Sequence, residues 1–352
     1  MCVDTRDLQV AAPRPEPGTE PTEVLGLEPI DDLRITSLVD NSVDLLAGDQ
    51  GPAHRTSLLS GALPARATRL QHSGEVPDVP LAEHGFSALV ELTRRGRTSR
   101  LLFDAGVTPD GLVTNMRRLD IAPTDIDVIV LSHGHFDHTT GLDGFIRAVG
   151  RANLPVLIHP HFWHRRRIEL PGRDPVELPT TSRLGLTDAG FDIIERPEPS
   201  FLLDGALLVT GEIDRTTRFE QGFPVHQAHD GTDWYPDPLI LDDQALVAHV
   251  RGRGLVVMTG CGHAGVVNIL RYARRLTGVD HVHAVLGGFH LAGPLFAPII
   301  PPTVDALQGM APDVIVPAHC TGWSAMHSIA TALPDAFIPN AVGTRYDFAG
   351  TG

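Results

Sequence analysis

The segment from Ser132 to Gly141, SHGHFDHTTG, constrains this chain more than any other stretch. Four side chains able to bind metal, His133, His135, Asp137 and His138, fall within six consecutive residues. They follow Ile126 to Leu131, IDVIVL, an apolar run whose length and β-branched content read as a buried strand. Such a strand brings the chain to the edge of a sheet, where a glycine-interrupted loop can turn several side chains onto one point. Imidazole together with carboxylate suits zinc, iron or manganese better than calcium or magnesium. A polyhistidine tag or a low-complexity tract has no buried strand before it and no aspartate interleaved.

Composition limits what can surround this loop. Hydrophobic residues make up 42% of 352, enough for the core of one large α/β domain or two average ones. A formal charge of −15 disfavours nucleic acid as a partner. Three cysteines, Cys2, Cys261 and Cys320, are too few for a disulfide framework and fit a reducing cytoplasm. With no apolar run near the roughly 18 to 20 residues a bilayer span needs, and no signal-peptide core, no membrane association is expected. Residues 1–29 are proline-rich and acidic without a hydrophobic period, and read as a mobile arm. The folded part is expected over residues 30–352 as a single domain.

Along that domain, strands are expected at Leu33 to Leu38, at Phe86 to Leu92, and at Arg100 to Phe103 after a turn. Residues 49–79, with a short helix around Leu58 to Leu70, read as a surface excursion or lid. Helices are expected at Leu112 to Leu119 and Leu142 to Val149, and a strand at Val156 to His159. Residues 161–192 read as an insertion over the site, where Arg165, Arg166 and Arg167 form either a solvated charge run or a grip on an anionic group. Further strands follow at Ile193 to Glu195, Ala206 to Thr210 and Ala245 to Val250. The second half then alternates: strand Leu255 to Thr259, helix from Val266 to Leu276, strand Val282 to Leu286, helix Val304 to Met310, strand Asp313 to Val316. That order is a sheet covered by helices.

Three of these later strands run into histidine-bearing turns: Cys261 with His263, then His290, then His319. In α/β architectures the loops beyond one sheet edge gather the functional groups, which places these turns beside the first cluster. The seven nitrogen and oxygen donors are more than one zinc can use, so two metals are expected. Two adjacent divalent ions acidify water and grip a substrate oxygen, which suits hydrolysis.

With these residues in place, HxHxDH at His133, His135, Asp137 and His138 resembles the signature of the metallo-β-lactamase superfamily. The resemblance runs from about Leu33 to the C-terminus. It implies an αββα sandwich of two mixed β-sheets flanked by helices, with a binuclear site at the sheet edge. Asp104, in FDAG, matches an acid that orients the site. The stretches VDN at 39–41, HGFS at 84–87, TGEI at 210–213, TGCGHAGVVN at 259–268, GGFHL at 287–291 and AHCTG at 318–322 are similar to a subgroup. That subgroup is named for dihydropterin-methyl-ribofuranosylaminobenzene phosphate synthase.

The resemblance implies that His133, His135 and His263 hold one metal, and Asp137, His138 and His319 the other. The family's bridging aspartate has no counterpart after Thr259, so His290 or Cys261 takes its place, with His290 preferred because imidazole is the commoner ligand. The expected cofactors are two divalent transition-metal ions, zinc first, with iron or manganese as alternatives. Asp137 and Asp104 are the candidate catalytic carboxylates, and His84, Asn41 and Arg215 the candidate substrate contacts. The expected activity is hydrolysis of a small ester, lactone, thioester or phosphoester by a metal-bridging hydroxide. Two alternatives stand beside it. One is a transferase condensing a dihydropterin pyrophosphate with a ribofuranosylaminobenzene phosphate; the other is a non-catalytic ligand-binding module on the same fold.

Overall fold

A computed structural model describes residues 24–58, 63–150 and 153–351. Two sheets form the centre. The first has eight strands in the spatial order Asp192–Glu195, Pro155–Ile158, Val128–Val130, Arg97–Phe103, Ser87–Arg94, Asp32–Val39, Arg345–Ala349 and Ala53–His54. Its first four strands are mutually parallel and the rest antiparallel. The second has six, in the order Ser200–Leu202, Leu207–Val209, Ala245–Val250, Gly254–Thr259, Val282–Gly288 and Val314–Ala318. Its last three strands are parallel.

Strand alternation explains why these sheets face each other. Leu33 and Ile35 point into a core shared with Leu246, Val256, Met258 and Leu286 of the opposing sheet. The other faces are covered by helices. Gly111–Arg118 and Leu142–Val149 pack on the first sheet, burying Leu112, Met116, Leu142 and Phe145. Val266–Thr277, Ile300–Met310 and Trp323–Ala332 bury Ile269, Leu270, Leu307 and Ile329 on the second. Helix, sheet, sheet, helix is the layering expected, and it is met.

Several local expectations change. The helix Ile300–Met310 starts four residues before Val304, because Pro301 and Pro302 fit its first turn, where no backbone N–H is needed. The helix expected over Leu58 to Leu70 is absent among the described residues. Ala65–Ala67 is instead an exposed strand paired with Glu75–Pro77; residues 59–62 lie outside the described residues. Of the arm at 1–29, residues 1–23 likewise lie outside them. Residues 24–29 are docked: Leu25 N donates to Leu276 O at 2.7 Å, and Leu27 joins the core of the second sheet. The chain past Gly322 carries a helix and an edge-pairing strand with no sequence expectation behind them.

The stretch at 161–192 contributes Arg165–Ile168 and Val176–Leu178 to a separate antiparallel sheet. His226–His229 and Trp234–Pro236 complete it. This small sheet matters because it brings His226 to the edge where the histidine loops meet.

Candidate metal centre

The first cluster begins where Val128–Val130 ends. Asp104, at the end of the neighbouring strand, is fully buried and has φ 59°, a left-handed conformation that costs a non-glycine residue energy. Its carboxylate organises the loop. Oδ1 accepts from Ser132 N at 2.7 Å, and Oδ2 accepts from Ser132 Oγ and from His138 Nδ1, both at 2.7 Å. Gly260 closes over this network: a Cβ there would lie 2.1 Å from Ser132 Oγ, so only glycine permits the approach.

Proton bookkeeping then assigns the free lone pairs. His138 donates through Nδ1, so Nε2 is the ring nitrogen left to bind. Ser132 Oγ gives its proton to Asp104, so the 2.9 Å contact from His133 Nδ1 is a donation and His133 Nε2 is free. His226 Nδ1 donates to Asp237 O at 2.9 Å, which leaves its Nε2 as acceptor for His135 Nε2 at 3.0 Å. His135 Nδ1 is therefore the free nitrogen.

These free nitrogens converge. His133 Nε2 lies 2.9 Å from His135 Nδ1, and His263 Nε2 lies 3.2 Å from the same atom. Burial, followed by the charge of neighbouring histidines and Arg166, holds His133 and His135 well below the usual imidazole range, and burial with neighbouring histidines does the same for His263. Neutral imidazoles with facing lone pairs repel unless a cation stands among them, and neutral imidazole is the form that ligates. The donor set fits a transition-metal ion.

A second group lies beside it. Asp137, His138, Cys261 and His319 place one donor atom each within 4.8 Å of one another, with His319 Nε2 3.3 Å from Asp137 Oδ2. His319 Nε2 is buried without a hydrogen-bond partner, as are His263 Nδ1 and His290 Nδ1. Burial opposes ionisation of Asp137, but His138 and His319 outweigh it and hold the carboxyl well below the usual range. Burial also opposes a charged His138, yet Asp104 and Asp137 raise it to about 9, so binding through Nε2 would release a proton.

Cys261 belongs to both groups. Its Sγ is 3.2 Å from His138 Nε2, and it also falls within ligand range of His133 and His263. His290 shares a donor group with Cys261 and Cys320, and its ring packs against His263, Phe223 and Phe296. Burial, then Cys320 and the carboxylates of Asp137 and Asp243, pushes the Cys261 thiol well up. Both His290 and His319 have positive φ, 44° and 48°, so two more candidate donors sit on strained backbone.

The candidate substrate contacts divide. His84 is exposed, 3.7 Å from Asp137 Oδ2 with its ring tilted against that of His319, and Asn41 Nδ2 donates to His319 O at 2.9 Å. Both stand at the mouth. Arg215 instead donates to the carbonyls of Ile213 and Leu239, and burial pulls its guanidinium down. The arginine run is likewise occupied. Arg166 is buried and pairs with Asp242 at 2.6 Å, while Arg165 and Arg167 pair with Glu177 and Glu169 and flank the Trp234 ring.

His226 carried no sequence signal. It lies 91 residues from His135, on a short strand of mixed polarity, and only the small antiparallel sheet brings the two rings together.

An αββα sandwich whose parallel strands end in two clustered donor groups defines a class, and the family comparison agrees. The model of the metallo-beta-lactamase superfamily matches residues 82–319, and the chain belongs to that superfamily. It is 30% identical over 256 residues to 7,8-dihydropterin-6-methyl-4-(beta-D-ribofuranosyl)-aminobenzene-5'-phosphate synthase of Methanocaldococcus jannaschii, covering 69% of this chain and 83% of that one. An uncharacterized protein of the same organism is 31% identical over 255 residues, covering 71% and 88%. Among solved structures, Tm1679, described as a metal-dependent hydrolase of the beta-lactamase superfamily, superposes with a TM-score of 0.66 at 21% identity, over 90% of this chain and 99% of that one. That likeness concerns the fold.

Proposed function

We propose that this protein is a binuclear metal-dependent hydrolase of a small ester, lactone, thioester or phosphoester. The observation that carries this reading is the convergence of two donor groups on Cys261. His133, His135 and His263 would hold one ion, and Asp137, His138 and His319 the other, with the Cys261 sulfur, rather than His290, in reach of both. Two ions held there would acidify water and polarise the scissile carbonyl or phosphoryl oxygen.

The chain's own groups do the rest. Asp104 fixes His138 and, through Ser132, His133, so the binding nitrogens are oriented before substrate arrives. Asp137 brings an ionised carboxylate to the mouth, where His84 stands 3.7 Å away and open to solvent. A proton taken from water at Asp137 Oδ2 thus has a neighbour that can pass it outward. Zinc is the preferred ion, since a thiolate donor favours it.

The test is metal analysis of the purified chain with a hydrolysis panel of lactone, thioester, phosphodiester and β-lactam substrates. Close to two transition ions per chain is expected, lost in His135→Ala/His138→Ala, with turnover of at least one ester class. Less than half an ion under metal-replete conditions would end the binuclear reading.

A second reading, the transferase, has one observation in its favour: the 30% identity to a protein named as the phosphate synthase. The arginine run at 165–167 does not add to it, because each of these guanidiniums already faces a carboxylate. Full metal occupancy with no hydrolysis across the panel would move the assignment to the transferase.

A further inference from the structure

The outer face of the first sheet carries a cavity of about 820 Å³ that the metal centre does not use. Strand alternation separates the two. Leu33 and Ile35 enter the sandwich core, whereas Arg34 and Thr36 of the same strand line the cavity. The donor groups lie beyond the strand's C-terminal end, where Asp40 receives His319 N at 2.7 Å.

Six arginines line this cavity, Arg34, Arg55, Arg100, Arg117, Arg118 and Arg345, against three carboxylates. The chain as a whole carries −15, so this local excess of positive charge opposes the global balance. Some of the guanidiniums are neutralised: Arg34 and Arg100 share Glu91, and Arg345 pairs with Asp347. Others are not, or only in part. Arg55 is 8% exposed and has no carboxylate within 4.0 Å among the described residues; it donates to Thr344 Oγ1 and Pro339 O. Arg118 is 7% exposed; its Nε meets Asp78 Oδ1 at 2.8 Å, but its Nη1 is buried without a partner. Arg117 reaches its nearest carboxylate, Asp78, only at 3.9 Å.

Buried cationic groups short of counter-charge are costly unless an anion completes them. Guanidinium forks match phosphate oxygens two at a time, and a cavity between about 300 and 1,000 Å³ takes a small-molecule ligand. We propose that this cavity is a binding site for a phosphate-bearing small molecule, separate from the metal centre. Arg55 supplies the fixed charge at its floor, beside the open Nη1 of the Asp78-paired Arg118, and Arg117 and Arg345, which are more exposed, close on the ligand from the rim.

Calorimetric titration of the full chain with pyrophosphate and with ADP, in the presence of a chelator, tests this, with citrate as a carboxylate control. Saturable 1:1 binding of a phosphate probe is expected in the wild type and in His135→Ala/His138→Ala. Affinity should fall about tenfold or more in Arg117→Ala/Arg345→Ala, whose fold is checked by thermal melting. Arg117→Glu, at the most open position, is the second variant should the double one fail to fold. No saturable binding up to about 10 mM would overturn the proposal. So would equal affinity in the arginine variants, loss of binding in the histidine variant, or citrate binding as tightly as the phosphates.

Discussion

Asp104 Oδ2 and His138 Nδ1 meet at 2.7 Å with both side chains fully buried. The same oxygen holds Ser132 Oγ, so one carboxylate sets the proton positions on two of the candidate ligands. In Asp104→Asn an amide nitrogen can face His138 Nδ1–H, and the ring loses its reason to present Nε2. Metal affinity is expected to fall about 10- to 100-fold, read by competition with a coloured chelator. Unchanged affinity would remove Asp104's orienting role.

His226 does for His135 what Asp104 does for His138. His226→Phe keeps a ring in the space but deletes the acceptor 3.0 Å from His135 Nε2. The expected result is a roughly tenfold loss of affinity for the first-group ion, with the second-group ion retained. Stepwise metal release followed by mass spectrometry separates the two, and parallel loss of both would contradict it.

Cys261 and His290 give opposite spectroscopic outcomes. Cobalt-loaded protein is expected to show a near-ultraviolet thiolate-to-metal band that disappears in Cys261→Ser and persists in His290→Ala. The reverse pattern would return the shared position to His290.

Arg166 and Asp242 form a buried pair at 2.6 Å, and Asp242 also accepts from Gly134 N at 2.8 Å, inside the histidine loop. Burial would raise the Asp242 carboxyl, but Arg166 holds it below the usual range. Arg166→Met leaves that charge alone and should cost about 3 to 5 kcal/mol in denaturant unfolding. Arg166→Met/Asp242→Asn should recover most of the loss; a double variant as unstable as the single would assign the effect to packing.

Glu220 lies under the start of the helix Val266–Thr277 and accepts from Val267 N and Asn268 N, both at 2.8 Å. Burial dominates those bonds and raises its carboxyl to about 7 from 4.5. An acid raised on folding binds its proton more tightly in the native state, so its contribution is complete below the unfolded value. It is lost as pH rises through 7, a change of up to about 3 kcal/mol. Glu220→Gln should gain on the wild type between pH 5 and pH 8 in paired unfolding curves, and a constant gap would refute this.

Much of the fold was legible because its signals are local. Strands such as Ser87–Arg94 and the helix Val266–Thr277 declare themselves by periods of two and of about 3.6 residues within one window. The strand Arg345–Ala349 does not: its short alternation means little until it pairs with Asp32–Val39, some 313 residues away. The segment Ala65–Ala67 shows the opposite error, where helix-compatible residues become a strand because a partner lies at Glu75–Pro77.

For the site, the sequence by itself determined the candidate donors and the edge on which they stand, since HxHxDH and the three later turns each follow a strand directly. Tertiary structure decided the rest, because distance and burial between remote segments are not properties of any one segment. It turned Arg166 inward and its two neighbours outward, brought His226 to His135, and set Cys261 between the donor groups with His290 to one side. The loop SHGHFDHTTG names its candidate ligands locally, but which nitrogen of each ring is free depends on Asp104 and His226, partners that only folding supplies.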